Sequence, residues 1–214
     1  MPLQNRVDPF GHIHAVSARG LFTGNRGVIH DPEKQILLSR RWTTKAWIIC
    51  DCGFRQRKRI VMGRNRPSGG PGWTNLFFLD EVTALAAGHR PCFECRRDAA
   101  RDFADSLAES LGRAVAAAQI DALLHPQRIA AGAIPPLLGP AAFQALPDGA
   151  MIAAGETVFA LRAGKLLPWS FEGYGPPNSF AALKQPLRLL TPPLTVAALT
   201  AGFRPVWHPS AQAI

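Results

Sequence analysis

Cysteine is scarce in this chain. Four in 214 residues are too few to staple a fold of this size with disulfides. Long apolar runs are missing too, so no membrane-spanning segment is expected. The first residues, "MPLQNRVDPFGHIH", contain no apolar stretch of the signal-peptide kind, and a cytoplasmic location is the expectation. No Gly-rich loop ending in Lys-Ser/Thr occurs, which argues against a P-loop nucleotide enzyme. No Gly-x-Ser-x-Gly elbow occurs, which argues against an α/β-hydrolase. Acids are sparse where bases are dense. Between Ser39 and Arg66 nine Lys/Arg face one acid, Asp51.

What is present fits a folded protein with a core, at 47% apolar and 18% charged residues. The formal net charge is +9, and the Ser39–Arg66 window carries most of it. A focused positive patch attracts polyanions, of which nucleic acid is the commonest. Arg55, Arg57, Lys58, Arg59, Arg64 and Arg66 are the candidate phosphate contacts. Trp42, Trp47 and Trp73 lie in or beside this window. Exposed, they would stack single-stranded bases; buried, they would be core residues of strands. The Gly-x-x-Gly of Gly24 to Gly27 is read either as a plain turn or as a backbone clamp.

The pattern of elements is α+β. "QILLS", "KAWIICDC", "RKRIVM" and "TNLFFL" read as strands, and "GFRQ" can turn the chain into a basic β-hairpin. A short helix should start at Asp80, which can cap it, and stop at Gly88. A longer helix should run from near Cys95 to Leu111, with Phe103, Leu107 and Leu111 on one face. Helical character resumes before Pro126. Residues 131–150, rich in Pro and Gly, read as a connector between a unit at 1–130 and a small, mostly β unit at 151–214. In the latter, "ETVFALR" and "KLLPWSF" suit a hairpin turning at Ala163–Gly164. A weak repeat links "VTALAAGHRP" near Val82 to "VAALTAGFRP" near Val196. Both read as a helix with a Gly stop. The first copy alone continues into thiols.

Those thiols are the sharpest signal. Cys92-x-x-Cys95, at a turn into a helix, has ligand spacing for a metal. Cys50-x-Cys52 is a less typical second arm, because residues i and i+2 of a strand lie far apart. Together the four would complete a tetrahedral Zn2+ site, with Arg90, Arg96, Arg97 and Lys45 available to offset its negative charge. A redox pair at Cys92–Cys95 and buried inert thiols are the alternatives. His12-x-His14 could open a metal-dependent hydrolase site if a further cluster completed it, and only His30–Asp31 offers itself.

The stretch "NLFFLDEVTALAAGHRPCFECRRDAA", with "TTKAWIICDC" upstream, resembles the zinc-binding, methylphosphotriester-repair domain of the Ada family, over roughly Thr43 to Ala100. The resemblance implies a zinc module with four cysteine ligands that binds nucleic acid, DNA rather than RNA, by its backbone. It also implies that Cys50 could accept a methyl group as a zinc-bound thiolate. The expected whole is a small zinc-stapled α/β module carrying a basic β-hairpin, followed by a small mostly-β C-terminal unit.

Overall fold

A computed structural model describes residues 1–56, 60–128, 134–180, 183 and 186–212. The fold is mixed α+β. In chain order the elements are β1 (Arg6–Val7), β2 (Ile13–His14), β3 (Phe22–Asn25), β4 (His30–Asp31), β5 (Ile36–Leu37), β6 (Ile48–Asp51), β7 (Leu76–Phe78), α1 (Glu81–Ala86), β8 (Arg90–Pro91), α2 (Arg97–Leu111) and α3 (Ala117–Leu124). There follow β9 (Leu137–Leu138), α4 (Pro140–Gln144), β10 (Met151–Ala154), β11 (Thr157–Arg162), β12 (Lys165–Ser170), β13 (Gly173–Tyr174), β14 (Leu187–Leu189) and α5 (Pro193–Thr200). The first sheet has the order β2-β1-β7-β3-β6-β8 and the second β13-β12-β11-β10-β14-β9, while β4 and β5 form a separate ribbon.

Local chemistry explains the helix ends. Asp80, in extended backbone, caps α1 by accepting from Thr83 N at 2.9 Å and Thr83 Oγ1 at 2.8 Å, which satisfies an orphan donor of the first turn. The repeated Ala-Gly-x-Arg-Pro segments are the same structure twice. Gly88 (φ 81°) and Gly202 (φ 110°) take left-handed backbone. His89 N then bonds Ala84 O, and Phe203 N bonds Ala198 O, each at 3.0 Å. These six-to-one bonds are Schellman stops, and they need the positive φ that glycine adopts without strain. The β11–β12 hairpin turns at Ala163 (φ 48°) and Gly164 (φ 70°), a pair of left-handed residues that matches strand twist.

Two expectations are corrected. The basic β-hairpin does not form among the described residues. After β6 the chain enters a 3-10 turn at Phe54–Gln56, and Ile60–Gly63 is a turn closed by Gly63 N to Ile60 O at 3.0 Å. Met62 takes φ 55° there and is fully buried, so this apolar run anchors a loop instead of pairing as a strand. The partners of β6 are β3, antiparallel, and β8, parallel.

Nor does the chain divide at 131–150 into independently packed units. Leu194, Ala198, Leu199 and Phe203, from α5 and its stop, belong to the core around Phe103 and Leu107 of α2. The Phe103 and Phe203 rings meet edge-to-face at 5.1 Å. In return Leu79, Val82 and Ala86 pack into the core of the second sheet with Met151, Ala160 and Leu167. Leu137–Leu138, inside the expected connector, is an edge strand of that sheet. Buried apolar side chains of this size contribute about 1.5–3 kcal/mol each, so the exchange couples the two halves strongly.

Polar bonds reinforce the coupling at the start of α1. Asp80 Oδ2 accepts from Tyr174 Oη at 2.9 Å and from His208 N at 3.0 Å. Glu81 Oε2 accepts from Val206 N at 2.9 Å, and Trp169 Nε1 donates to Thr83 Oγ1 at 3.0 Å. Replacing Asp80 by Ala strands several buried donors, each worth about 1–3 kcal/mol, together with a cap worth about 1 kcal/mol. The expected outcome is a loss of about 3 kcal/mol or more in urea unfolding, in one shifted transition. Two transitions, with only one displaced, would show that the halves unfold separately.

Candidate metal centre

The thiols are brought together by sheet pairing. The parallel register of β6 with β8 sets Ile48 against Arg90 and Ile49 against Pro91. The next residue along each strand is a cysteine, Cys50 and Cys92. Cys92 N donates to Ile49 O at 3.0 Å and Arg96 N to Cys92 O at 3.0 Å, so the Cys-x-x-Cys segment curls back and delivers Cys95. The sulfurs of Cys50, Cys92 and Cys95 lie within 4.8 Å of one another. Glu94 N points at Cys92 Sγ, 3.4 Å away. Hydrogen bonds from Cys50 and then Cys95 push the Cys92 thiol far down, and the same network pushes Cys50 up. Cys95 is pushed up as well, so without a metal the negative charge of the trio falls on Cys92.

Cys52 is not part of this group. It is exposed, and its sulfur lies 3.5 Å from Leu21 O. Two residues of strand separate it from Cys50 by about 6.6 Å, and no curl at Gly53 closes that distance. It nonetheless lines the same cavity, of about 240 Å3, as the three clustered thiols. Asp51, Trp73, Asn75 and Glu94 line it as well. These residues come from three separate segments, and spacing alone could not have found them together.

The arginines near the thiols serve the scaffold. Arg90, buried, makes a two-pronged pair with Asp121 of α3 at 3.0 and 2.7 Å. Arg96 is paired with both oxygens of buried Glu81, lies 3.5 Å from Asp51, and covers the Phe22 ring at 4.3 Å. One pair locks β8 to α3 and the other locks the start of α2 to α1. The loop carrying Cys92 and Cys95 hangs between these fixed points. Arg97 is exposed at the first turn of α2.

A metal ion suits this donor set. Tetrahedral zinc with sulfur bonds of about 2.3 Å needs sulfurs about 3.8 Å apart, which a trio already within 4.8 Å reaches with small side-chain rotations. Amide donors on thiolate sulfur are usual at such centres.

Of the candidate phosphate contacts, Arg55 and Arg66 are exposed and Arg64 is paired with Glu33 at 2.5 Å. Arg57, Lys58 and Arg59 lie outside the described residues. Trp42 and Trp73 are about half exposed, at 45% and 49%, whereas Trp47 is buried. The Gly-x-x-Gly spans the end of a strand and a bend: Gly24 sits in β3 so close to β6 that a Cβ would fall 2.2 Å from Ile48 O, and Gly27 turns the chain at φ 95°.

The N-terminal histidines are completed by a residue that spacing did not suggest. Asp8 Oδ1 accepts from His12 N at 2.9 Å, and its Oδ2 lies 2.8 Å from His14 Nε2 and 3.6 Å from His12 Nδ1. His30 and Asp31 are elsewhere. His30 is buried against Thr74 Oγ1 at 2.7 Å, and Asp31 caps the turn at Glu33 and Lys34. The Asp-Pro-x-Gly turn that returns His12 to Asp8 was the available signal.

No family model, no curated protein and no solved structure matches this chain. Among the described residues no helix is long and apolar enough to cross a membrane. Serine in place of Cys50, Cys92 or Cys95 is expected to weaken retention of a thiophilic divalent metal by about tenfold or more. Serine at Cys52 should leave retention unchanged. Metal analysis after competition with a chelator reads both outcomes.

Proposed function

We propose that this chain is a zinc-dependent nucleic-acid-binding protein of the cytoplasm, directed at the DNA backbone, with Zn2+ held by Cys50, Cys92 and Cys95. The observation that carries the reading is the convergence of these three sulfurs at one end of the β6–β8 pair. Three protein ligands beside a cavity are the arrangement of zinc sites that keep one position for water or substrate. Cys52, Asp51 and Glu94, which line that cavity, are the groups within the site's neighbourhood.

The polyanion half of the reading rests on charge. The net charge of +9 is concentrated in the Ser39–Arg66 segment, which contains Cys50, and Arg55 and Arg66 of that segment are solvent-exposed. Trp73, which lines the thiol cavity and is half exposed, offers an aromatic face for stacking. Backbone contact of this kind has little base preference and depends steeply on salt.

A second reading is favoured by the placement of Cys50 in the cavity wall. Bound zinc would keep a thiolate deprotonated at neutral pH while leaving it nucleophilic. In a methylphosphotriester the Cys50 sulfur would attack the methyl carbon. The S–C bond forms, the C–O bond breaks, and its electron pair leaves on the phosphate oxygen as a diester anion. No oxidant or reductant is needed. This is the self-modifying repair chemistry implied by the Ada resemblance, and it makes the protein a single-turnover acceptor.

Fluorescence anisotropy with labelled duplex DNA tests binding. The logarithm of the affinity should fall linearly with the logarithm of salt, and Arg55→Ala or Arg66→Ala should each lower that slope by about one. An affinity indifferent to salt removes the proposal. Peptide mass spectrometry after incubation with methylated DNA separates the two readings. A methyl group on Cys50 makes the protein an acceptor, and unmodified Cys50 in protein that binds the DNA leaves it a binding module.

A further inference from the structure

A second cavity, of about 560 Å3, lies on the other side of the first sheet and is lined by Arg26, Arg41, Trp42, Trp47, His125 and Arg128, among others. Strand alternation separates the two cavities. Ile48 and Cys50 face the thiol cavity, whereas Trp47 faces this one; Asn25 faces the former and Arg26 the latter. Three arginines and two histidines, His12 and His125, line its wall, and no acidic residue does so among those described.

Two of those arginines are inside the protein. Arg26 is 2% exposed and Arg128 7%. Their guanidinium carbons lie over the same Trp47 ring, 4.0 and 4.6 Å from its centroid. Part of each fork staples the backbone: Arg26 Nη1 donates to Gly11 O at 2.9 Å, Arg128 Nε to Gly88 O at 2.9 Å and Arg128 Nη1 to Lys45 O at 2.6 Å. The remaining group, Nη2, is buried without a hydrogen-bond partner on both residues.

Countercharge is short as well. Among the described residues no carboxylate lies within the 4.0 Å ion-pair distance of Arg26. Arg128 Nη2 has Asp121 at 3.9 Å, but that carboxylate is already engaged two-pronged by Arg90. Burial, and next the nearby Arg128, lower Arg26 to about 9 despite Asp8. A buried cation without an anion loses solvation that nothing nearby replaces in full, and the Trp47 face offsets only part of it. A ligand that brings the negative charge would relieve the remainder.

The geometry points to a binding site for a phosphate monoester that carries a flat aromatic group, the chemistry of a nucleoside 5′-monophosphate. The two unpartnered Nη2 groups, carried on guanidiniums that share the Trp47 face, suit phosphate oxygens. Arg41 and Trp42, both exposed, flank the wall, and the Trp42 ring, set edge-to-face with His125 at 4.6 Å, offers stacking surface to a base. The volume is that of an ordinary small-molecule pocket. The same chemistry exists as a free nucleotide and as the 5′-phosphorylated end of a strand. The site does not depend on the thiol centre, and either proposal can fail while the other holds.

Calorimetric titration of the full chain with AMP, adenosine, and matched oligonucleotides bearing a 5′-phosphate or a 5′-hydroxyl tests it. AMP should bind and raise the melting temperature. Adenosine should bind at least about tenfold more weakly, since charged hydrogen bonds to phosphate are lost. Arg26→Met should abolish binding. Arg41→Gln and Trp42→Ala, at surface positions where folding is checked by an unchanged melting temperature without ligand, should each weaken AMP by about tenfold, and they decide the matter if the Arg26 variant does not fold. Binding of AMP alone assigns the site to a free nucleotide, and binding of AMP together with the 5′-phosphorylated strand alone assigns it to a strand end. No binding of AMP or the phosphorylated strand, equal binding of adenosine and AMP, or affinity untouched in both surface variants overturns the inference.

Discussion

Two adjacent carboxylates at the start of α1 hold this molecule together. Asp80 and Glu81 are both fully buried, and neither is left alone there. Asp80 caps its own helix and reaches Tyr174 and His208 of the C-terminal segment. Glu81 reaches Val206 and takes the guanidinium of Arg96. Buried acids with so many donors cannot be parted from any of them without stranding charge or hydrogen bonds in the interior. Consequently the two sheets, the start of α2 and the C-terminal tail are registered against one short helix.

The thiol centre inherits its geometry from that hub. Arg96, held by Glu81, follows Cys95 directly, and Arg90, held by Asp121, precedes Pro91 and Cys92. The cysteine loop is thus clamped on both flanks by buried ion pairs, while parallel pairing with β6 brings Cys50 alongside. These arginines are committed to Glu81 and Asp121, and the donor set on the clustered sulfurs is the Glu94 amide, 3.4 Å from Cys92 Sγ. The centre is placed by backbone pairing and cross-element ion pairs, and Cys50, from a separate strand, can join only once the sheet has formed.

The first sheet separates two different chemistries. One side holds soft sulfur beside carboxylates and an exposed tryptophan; the other holds buried guanidiniums stacked on Trp47. A thiophilic cation is complementary to the first and a hard anion to the second.

Much of the local structure was legible in the residues. Asp80, Gly88 and Gly202 punctuate helices by side-chain capping and by tolerance of positive φ, which are properties of single residues and near neighbours. Ala163–Gly164 turns its hairpin for the same reason, and Cys92-x-x-Cys95 announces ligation because its two sulfurs are only one turn apart. In "RKRIVM", whose first three residues lie outside the described ones, the alternation of a strand is legible, but Ile60–Met62 forms a turn that buries Met62. The connector misled because its Pro and Gly mark turns, and turns do not say whether the flanking segments share a core. By itself, then, the sequence determined the caps, the turns, the close thiol pair and the charge of the Ser39–Arg66 segment, since these act over a few bonds. Only the tertiary structure decided that Cys50 joins the thiols while Cys52 does not, that Asp8 completes the histidines, and that Arg26 and Arg128 meet over Trp47. Those outcomes depend on which strands pair and in what register, and register is set by the burial of the whole core.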